Sequence, residues 1–468
     1  MNLKELNKDQ LIEIIETLLV EINQLKEENK KLKAQLNMNS SNSSMPPSTD
    51  GFKKKAKNNS LREKSGKKTG GQPKHKGHTL EKVENPDFVV ELKDDICPHC
   101  SSNVENVPSL EIKTRQVFDI PEPEIEVTEY RAHSVLCPNC NKVHTSKFPE
   151  TVTQPTSYGP RIKVLITNLN VQNHISYNRI KEFIKDSYGH NISEGTIHNT
   201  LKLGYYNLEK TESEIKKQII TSPQSHVDET GIYIEDSRYW LFVHSTNSYT
   251  YYSHHKKRGS EAMDEIGIIP NFEGVLTHDC WKAYLKYKNC SHSFCNAHFL
   301  RELNGIKENN DFKFPDKIKE VLLEMKSLVD SGNQILEEIK SNLIYRYKLE
   351  ISNGYAEEEK TATPPEKGKR GRKKQSKAKN LLDRMSQIDE VLGFFLFPGL
   401  IPFDNNLAER DVRMIKVKQK VSGLFRSESG ANYFCRIRGY LSTLRKSGVN
   451  IYEGLKSVFS GNPILPQN

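Results

Sequence analysis

Three observations predict an α/β protein with several appended segments. Residues 224–290 carry short alternating or apolar runs around one helical stretch. The flanking regions, 155–220 and 301–400, are patterned mostly as helix. Two Cys-x-x-Cys pairs stand apart from both. The 468 residues allow about three domains at roughly 150 residues each. Hydrophobic residues make up 35% and charged residues 28%, enough for a core but not for a membrane protein. The longest apolar run, Val391 to Phe403, contains two prolines and falls short of the ~20 residues a spanning helix needs. It reads as core. The start, Met1-Asn-Leu-Lys-Glu-Leu6, lacks the basic-then-apolar pattern of a secretory leader. A cytoplasmic location is expected, where the eight cysteines stay reduced.

Residues 1–37 read as a coiled coil. Leu11, Ile15, Leu18, Ile22, Leu25, Asn29, Leu32 and Leu36 alternate spacings of four and three. Ile15, Ile22, Asn29 and Leu36 then occupy a positions, and Leu11, Leu18, Leu25 and Leu32 occupy d. Ile at a with Leu at d favours a parallel two-stranded coil, and one Asn at a fixes its register. A homodimer or higher oligomer is expected. The competing reading is one amphipathic helix lying on the protein's own core.

Residues 38–90 read as a flexible basic linker. Asn39-Ser-Ser-Asn-Ser-Ser44 and Pro46-Pro47 lead into it, and too little of it is apolar to offset the entropy of ordering. The net charge is +9, and residues 51–80 hold ten Lys/Arg against one acid, Glu63. The arm thus carries a charge equal to that of the whole chain. Lys53, Lys54, Lys55, Lys57, Lys67 and Lys68 suit phosphate contacts with nucleic acid. A solvated linker is the alternative. A second basic run, Glu366 to Lys379, holds eight bases and one acid.

Residues 91–150 carry the metal signal. Cys97-Pro-His-Cys100 and Cys137-Pro-Asn-Cys140 are two tight turns. Each can aim two thiolates at one ion, and two such turns complete a tetrahedral zinc site. The 36 intervening residues exceed the usual roughly 15–20, and the alternating Glu124–Tyr130 suits a strand of a longer hairpin. Redox pairs or buried thiols are the alternative.

Residues 155–220 read as helices near Arg161–Val171 and Tyr177–Tyr188, followed by one that Ser193 caps. A short helix after a turn resembles a helix-turn-helix DNA reader, and plain helical packing competes with that reading.

The first part of the α/β core falls at 221–300. Ser225–Ile234 reads as a strand carrying Asp228. Tyr239–His244 and Tyr249–Tyr252 are two further strands, Ser260–Ile266 a helix, and Gly274–His278 a buried strand ending at Asp279. Three antiparallel strands, a helix and a parallel strand give the order of a ribonuclease H-like core, in which the strands bearing Asp228 and Asp279 pair. Glu229 follows Asp228 and so points to the opposite sheet face. Residues 301–400 read as a mostly helical insertion with a basic loop. Residues 401–450 contain a helix opening at Asp404 or Asn405, and 451–468 form a tail. On that helix Glu409 shares a face with Arg413 and Lys416, and Arg410, Arg413, Lys416, Lys418 and Lys420 suit the DNA backbone, with an ordinary solvated basic face as the alternative. Three carboxylates can hold two divalent ions for phosphodiester chemistry. With 60 acids in the chain, spacing alone does not single out this trio.

The ordered series of motifs resembles the DDE transposases of the IS66 insertion-sequence family. It comprises the N-terminal zipper, the Asn/Ser-Pro-Pro-Ser linker, Gly70-Gly-Gln-Pro-Lys-His-Lys-Gly-His78 and the paired Cys-Pro-x-Cys turns. It continues with Val227-Asp-Glu-Thr230, His278-Asp-Cys-Trp-Lys-Ala-Tyr284, Cys295-Asn-Ala-His-Phe-Leu-Arg-Glu-Leu303 and Asn405-Asn-Leu-Ala-Glu-Arg410. The resemblance spans nearly the whole chain. It implies that Asp228, Asp279 and Glu409 are the catalytic acids, with Mg²⁺ or Mn²⁺ as the ion. It implies a helical insertion between the second and third acids, here with 129 residues between them. It also implies DNA partners, the element ends and the target, and accessory transposition proteins. Cys295 and His298 match a feature the family carries between those acids. Cys290 and His292 lie nearby, so a second metal site competes with a buried structural pair. The activity implied is metal-dependent strand cleavage and strand transfer. The alternatives are a zinc- and coiled-coil-bearing DNA-binding regulator on an inactive scaffold, or a metal-dependent nuclease without strand transfer.

Overall fold

A computed structural model describes residues 7–40, 42–43, 79–149, 152–361 and 375–465. The lysines expected to bind phosphate between 53 and 68, and most of the second basic run, lie outside these residues. Residues 59–128 form one unit and the rest of the chain another.

In the smaller unit, described from residue 79, short local ties replace regular structure. Gln116 donates to the Val83 carbonyl and accepts from its N–H, at 2.7 and 2.8 Å. Ile96 bridges Asn103 across the Cys97 turn. The expected strand at Glu124–Tyr130 does not form among the described residues. Val127 stays 89% exposed, so no partner covers the run and its alternation has nothing to bury against.

The larger unit begins with α1 (Lys8–Leu36), opened by a capping box in which Asn7 and Gln10 satisfy each other's free N–H groups. A short hairpin, β1 (Ser134–Leu136) and β2 (Val143–Thr145), carries the second Cys pair at its turn. Four helices follow: α2 (Pro160–Thr167), α3 (Tyr177–Tyr188), α4 (Glu194–Asn207) and α5 (Glu209–Ile220). Ser193 Oγ accepts from the Thr196 N–H at 3.0 Å and starts α4. Ile180 and Ile184, one turn apart, bury one face of α3. Gly189 ends that helix at φ 63°, where a side chain would be strained.

Next come β3 (Gln224–Ile234), β4 (Ser237–Ser245), β5 (Thr250–His255), α6 (Ser260–Ile266), β6 (Val275–His278) and β7 (Ser291–Phe294). They form one mixed sheet in the order β5-β4-β3-β6-β7. β3, β4 and β5 pair antiparallel, and β6 and β7 continue parallel. α7 (Asn296–Asn309), α8 (Phe314–Asp330), α9 (Glu337–Thr361), α10 (Lys377–Met385) and α11 (Ile388–Leu396) form the insertion. Gly332, with φ 69°, stands between α8 and α9. Last are α12 (Asn406–Ser422), α13 (Glu428–Lys446) and α14 (Ile451–Phe459).

Two apolar cores result. One joins the sheet to α2–α5 and α12–α14. The other joins α7–α11 to the far edge of the sheet through Phe294 and Cys280. The apolar run at 391–403 supplies buried Val391, Leu392, Phe394 and Phe395 to the second core. Among the described residues no helix is long and apolar enough to cross a membrane.

Candidate active site

The central strand, β3, positions the first acid. Its parallel register with β6 pairs His226 with Thr277, and the same offset sets Asp228 level with Asp279 at the tip of β6. Asp279 Oδ1 accepts from the Trp281 N–H at 3.1 Å, which anchors the loop after β6. Asp228 Oδ1 accepts from the Glu229 N–H at 2.9 Å. Glu409 reaches the same place from the first turn of α12. Burial raises the Asp228 pKa well above its ordinary value, and the charges of Glu229, Asp279 and Glu409 raise it further. Burial also raises Asp279, against the pull of the Trp281 N–H and Arg258. The three acids are therefore electrostatic neighbours, drawn from segments far apart in the chain.

Asn405 ties these segments together. Its Oδ1 lies 2.9 Å from His226 Nδ1, and its Nδ2 donates to the Val227 carbonyl at 2.8 Å. Its N–H donates to Cys295 Sγ at 3.2 Å. Asn405 is 1% exposed, so the start of α12 is locked to β3 beside Asp228. The helix-cap reading of this residue saw its place but not these bonds; no side-chain cap bond forms.

Around Glu409 the cations stand back. His298 Nδ1 and Arg301 Nη2 are each 3.9 Å from Oε1, and Arg413 Nη2 is 3.7 Å from Oε2. Both Glu409 Oε1 and His298 Nδ1 are buried without a hydrogen-bond partner. Cys295 Sγ, a His298 ring nitrogen and a Glu409 oxygen lie within 4.8 Å of one another, the one such trio among the described residues. Burial pushes His298 down to about 4 and Cys295 up to about 12. Cys290 and His292 do not join them. His292 spends one ring nitrogen on His278 at 3.1 Å and the other on the Tyr287 carbonyl at 2.8 Å.

Glu229 occupies the alternate position on the pleat, yet it is not idle. Its side chain is 2% exposed. It accepts from Arg258 Nε and Nη2 at 3.1 and 2.5 Å, and from the Tyr284 hydroxyl. Nothing in its own neighbourhood of sequence marked this role.

On α12, Arg410 and Arg413 are exposed. Lys416 turns inward instead and donates to the Gly231 carbonyl at 2.8 Å. Lys418 is 9% exposed, lies over Phe425 and Phe434, and burial lowers it to about 8.

The two Cys pairs fold alike. Cys97 N–H donates to the Ser102 carbonyl and its own carbonyl accepts from Ser101, both at 2.9 Å. Cys137 does the same with Lys142 and Asn141 at the same distances. Ser101 and Asn141 both take positive φ, 58° and 52°. Hydrogen bonding with Ser102 lowers the Cys100 thiol, and that with the Cys140 and Asn139 backbone lowers Cys137. Both shifts favour thiolate.

Comparison with protein families identifies the class. The model described as the transposase IS66 family matches residues 155–433, more than half of the chain and all three acids. The chain belongs to that family. The zinc-finger binding domain of transposase IS66 matches 94–141 and so spans both Cys turns. A family of unknown function (DUF6444) matches 2–81. No curated protein matches the chain.

Proposed function

We propose that this transposase cleaves and joins DNA strands at a centre made of Asp228, Asp279 and Glu409. The sheet order and the position of the acids support a ribonuclease H-like core. The observation that carries the reading is the convergence of three carboxylates, with the cations nearest Glu409 among the described residues held 3.7–3.9 Å away. Such a group suits divalent ions, Mg²⁺ or Mn²⁺, because hard oxygen donors and crowded negative charge favour them. When bound, the ions supply activation of the attacking oxygen and stabilisation of the leaving one. The protein's own part is positional. β3 and β6 hold two carboxylates level, and Asn405 fixes the helix carrying the third.

Cys295 and His298 extend the set. With Glu409 they offer sulfur, nitrogen and oxygen donors, a combination suited to a softer transition-metal ion. The zinc reading of the Cys turns rests on each turn by itself. Each offers two thiols, of which hydrogen bonds favour the thiolate at Cys100 in one turn and Cys137 in the other, and a structural zinc takes four. α1 is read as one strand of a parallel coiled coil, and DNA is the partner of the basic residues.

The test uses purified full-length protein, Mg²⁺ or Mn²⁺, and the DNA flanking its own gene. Cleavage to a free 3′-OH and joining of a pre-cut end to plasmid are expected. Asp228→Asn, Asp279→Asn or Glu409→Gln should each reduce both by at least about 100-fold, since ion ligands contribute several kcal/mol. Strand transfer by Asp279→Asn at wild-type rate, with normal folding, refutes the centre. Cleavage without joining makes the protein a nuclease.

A further inference from the structure

Beside the acids lies a stack of side chains that catalysis by carboxylates does not use. Arg238 Cζ lies 4.7 Å from the Trp240 ring centroid. Arg258 Cζ lies 4.6 Å from Trp240 and 4.2 Å from Trp281. Tyr284 closes the far end, edge-on to Trp281 at 5.4 Å. Its hydroxyl and Arg258 share the Glu229 carboxylate. Gly231, facing Trp240 across the β3–β4 ladder, leaves room for Arg238. A Cβ there would come 3.2 Å from Nε and Nη2 of that guanidinium. Gly259, directly after Arg258, takes φ 128°, a conformation that glycine alone adopts easily.

The arrangement is linked to the reacting centre by covalent neighbours. Glu229 follows Asp228, and the Trp281 N–H holds Asp279. Arg258 is held on one edge by Glu229 and in contact with two indoles. Its remaining Nη1 donors make no hydrogen bond among the described residues, and its side chain is 37% exposed. A guanidinium so restrained has lost its rotamer freedom before any ligand arrives. The indole faces turned to it are already covered, so a base cannot stack there. A phosphate oxygen can take the open edge of the fork.

We propose that Arg258, clamped by Trp240, Trp281 and Glu229, binds a backbone phosphate of the DNA strand next to the one being cut. Glu229 and Tyr284 are positioning residues for it. This inference rests on the strand-cleavage reading for its ligand. It does not require catalysis to be tested.

Trp240 and Trp281 are the only tryptophans in the chain. Intrinsic emission therefore reports on this place alone. Full-length protein is titrated with the single-stranded oligonucleotide dT12 in EDTA, following tryptophan emission and, separately, the anisotropy of labelled dT12. The variant is the double substitution Glu229→Gln with Arg258→Met, which leaves net charge unchanged and no unpaired buried acid. Its thermal midpoint and circular dichroism must match wild type. If it unfolds, Arg258→Lys, which keeps the charge but loses the fork, replaces it.

The expected result is a saturable emission change in wild type. In the variant, affinity by emission falls about tenfold to a hundredfold, the range of one charge-assisted hydrogen bond. For the double variant the log–log salt slope becomes shallower by about 0.7, the value for one phosphate on a single strand. A purely structural role would not move that slope. The inference is overturned if anisotropy shows binding while emission stays constant, or if a folded variant keeps wild-type affinity. Loss of cleavage and joining in wild type with the emission response intact refutes the strand-cleavage reading alone.

Discussion

Burying carboxylates beside one another favours their protonated forms, and at Asp228 that preference has a direction that can be measured. Its folded pKa is raised above the ordinary 3.8. The stability it contributes is full below that value and is lost as pH rises through the raised folded value. Buried His226, His244, His278 and His298 have lowered pKa values and give the opposite slope. The difference between Asp228→Asn and wild type isolates the acid. In EDTA the two thermal midpoints should nearly coincide near pH 4. The variant should lead increasingly toward neutral pH, by about 2–4 °C for each kcal/mol of relieved repulsion. Saturating Mg²⁺ should raise wild type and erase the lead. A lead that does not depend on pH would mean that the charge of Asp228 is not what the fold opposes.

At the scale of elements, the uncovered parts are the most informative. Ile15, Ile22, Leu25, Leu32 and Leu36 of α1 are 44–75% exposed, so the protein's own core does not cover the heptad seam. Deleting residues 1–36 should lower the oligomeric state seen by analytical ultracentrifugation, and Asn29→Ile should strengthen association while relaxing the choice of oligomer. An unchanged state after the deletion assigns dimer contact elsewhere. The Cys turns make a parallel case. Protein purified without chelators should carry zinc, and Cys97→Ser or Cys140→Ser should lose it by metal analysis. Zinc-free wild type would defeat the four-thiolate reading.

These elements also show what a sequence can reveal. β3, β4 and β6 announce themselves by alternation or a short apolar run, and the Cys turns by spacing. β7 does not. Ser291-His-Ser-Phe294 has no apolar period, and it is a strand because β6 and α11 lie against it. The three acids were legible as a family motif. Their supports were not, because each acts across the chain. Arg258 meets Glu229 from 29 residues away, and Asn405 meets His226 from 179 away. Lys416 reads as a surface cation until the carbonyl of Gly231 is seen beneath it.

For the whole molecule, the distribution of charge predicts which segment draws in DNA. The arm at residues 51–80 holds ten bases and one acid, while the chain as a whole carries +9. The remainder is thus balanced, and near the site Arg258 pairs with Glu229 and Arg384 with Glu302. Long-range attraction to duplex should therefore come from the arm. Replacing its ten Lys/Arg with Gln keeps the linker length and removes the charge. Binding to any duplex should weaken, and element ends and random DNA should lose affinity by similar factors, because phosphate contacts carry no sequence information. The log–log salt slope should become shallower by about 0.9 for each phosphate the arm had neutralised. Measured between 50 and 200 mM salt, roughly the interval over which such contacts show, a slope equal to wild type would make the arm a passive tether. A loss confined to element ends would make it a reader of bases.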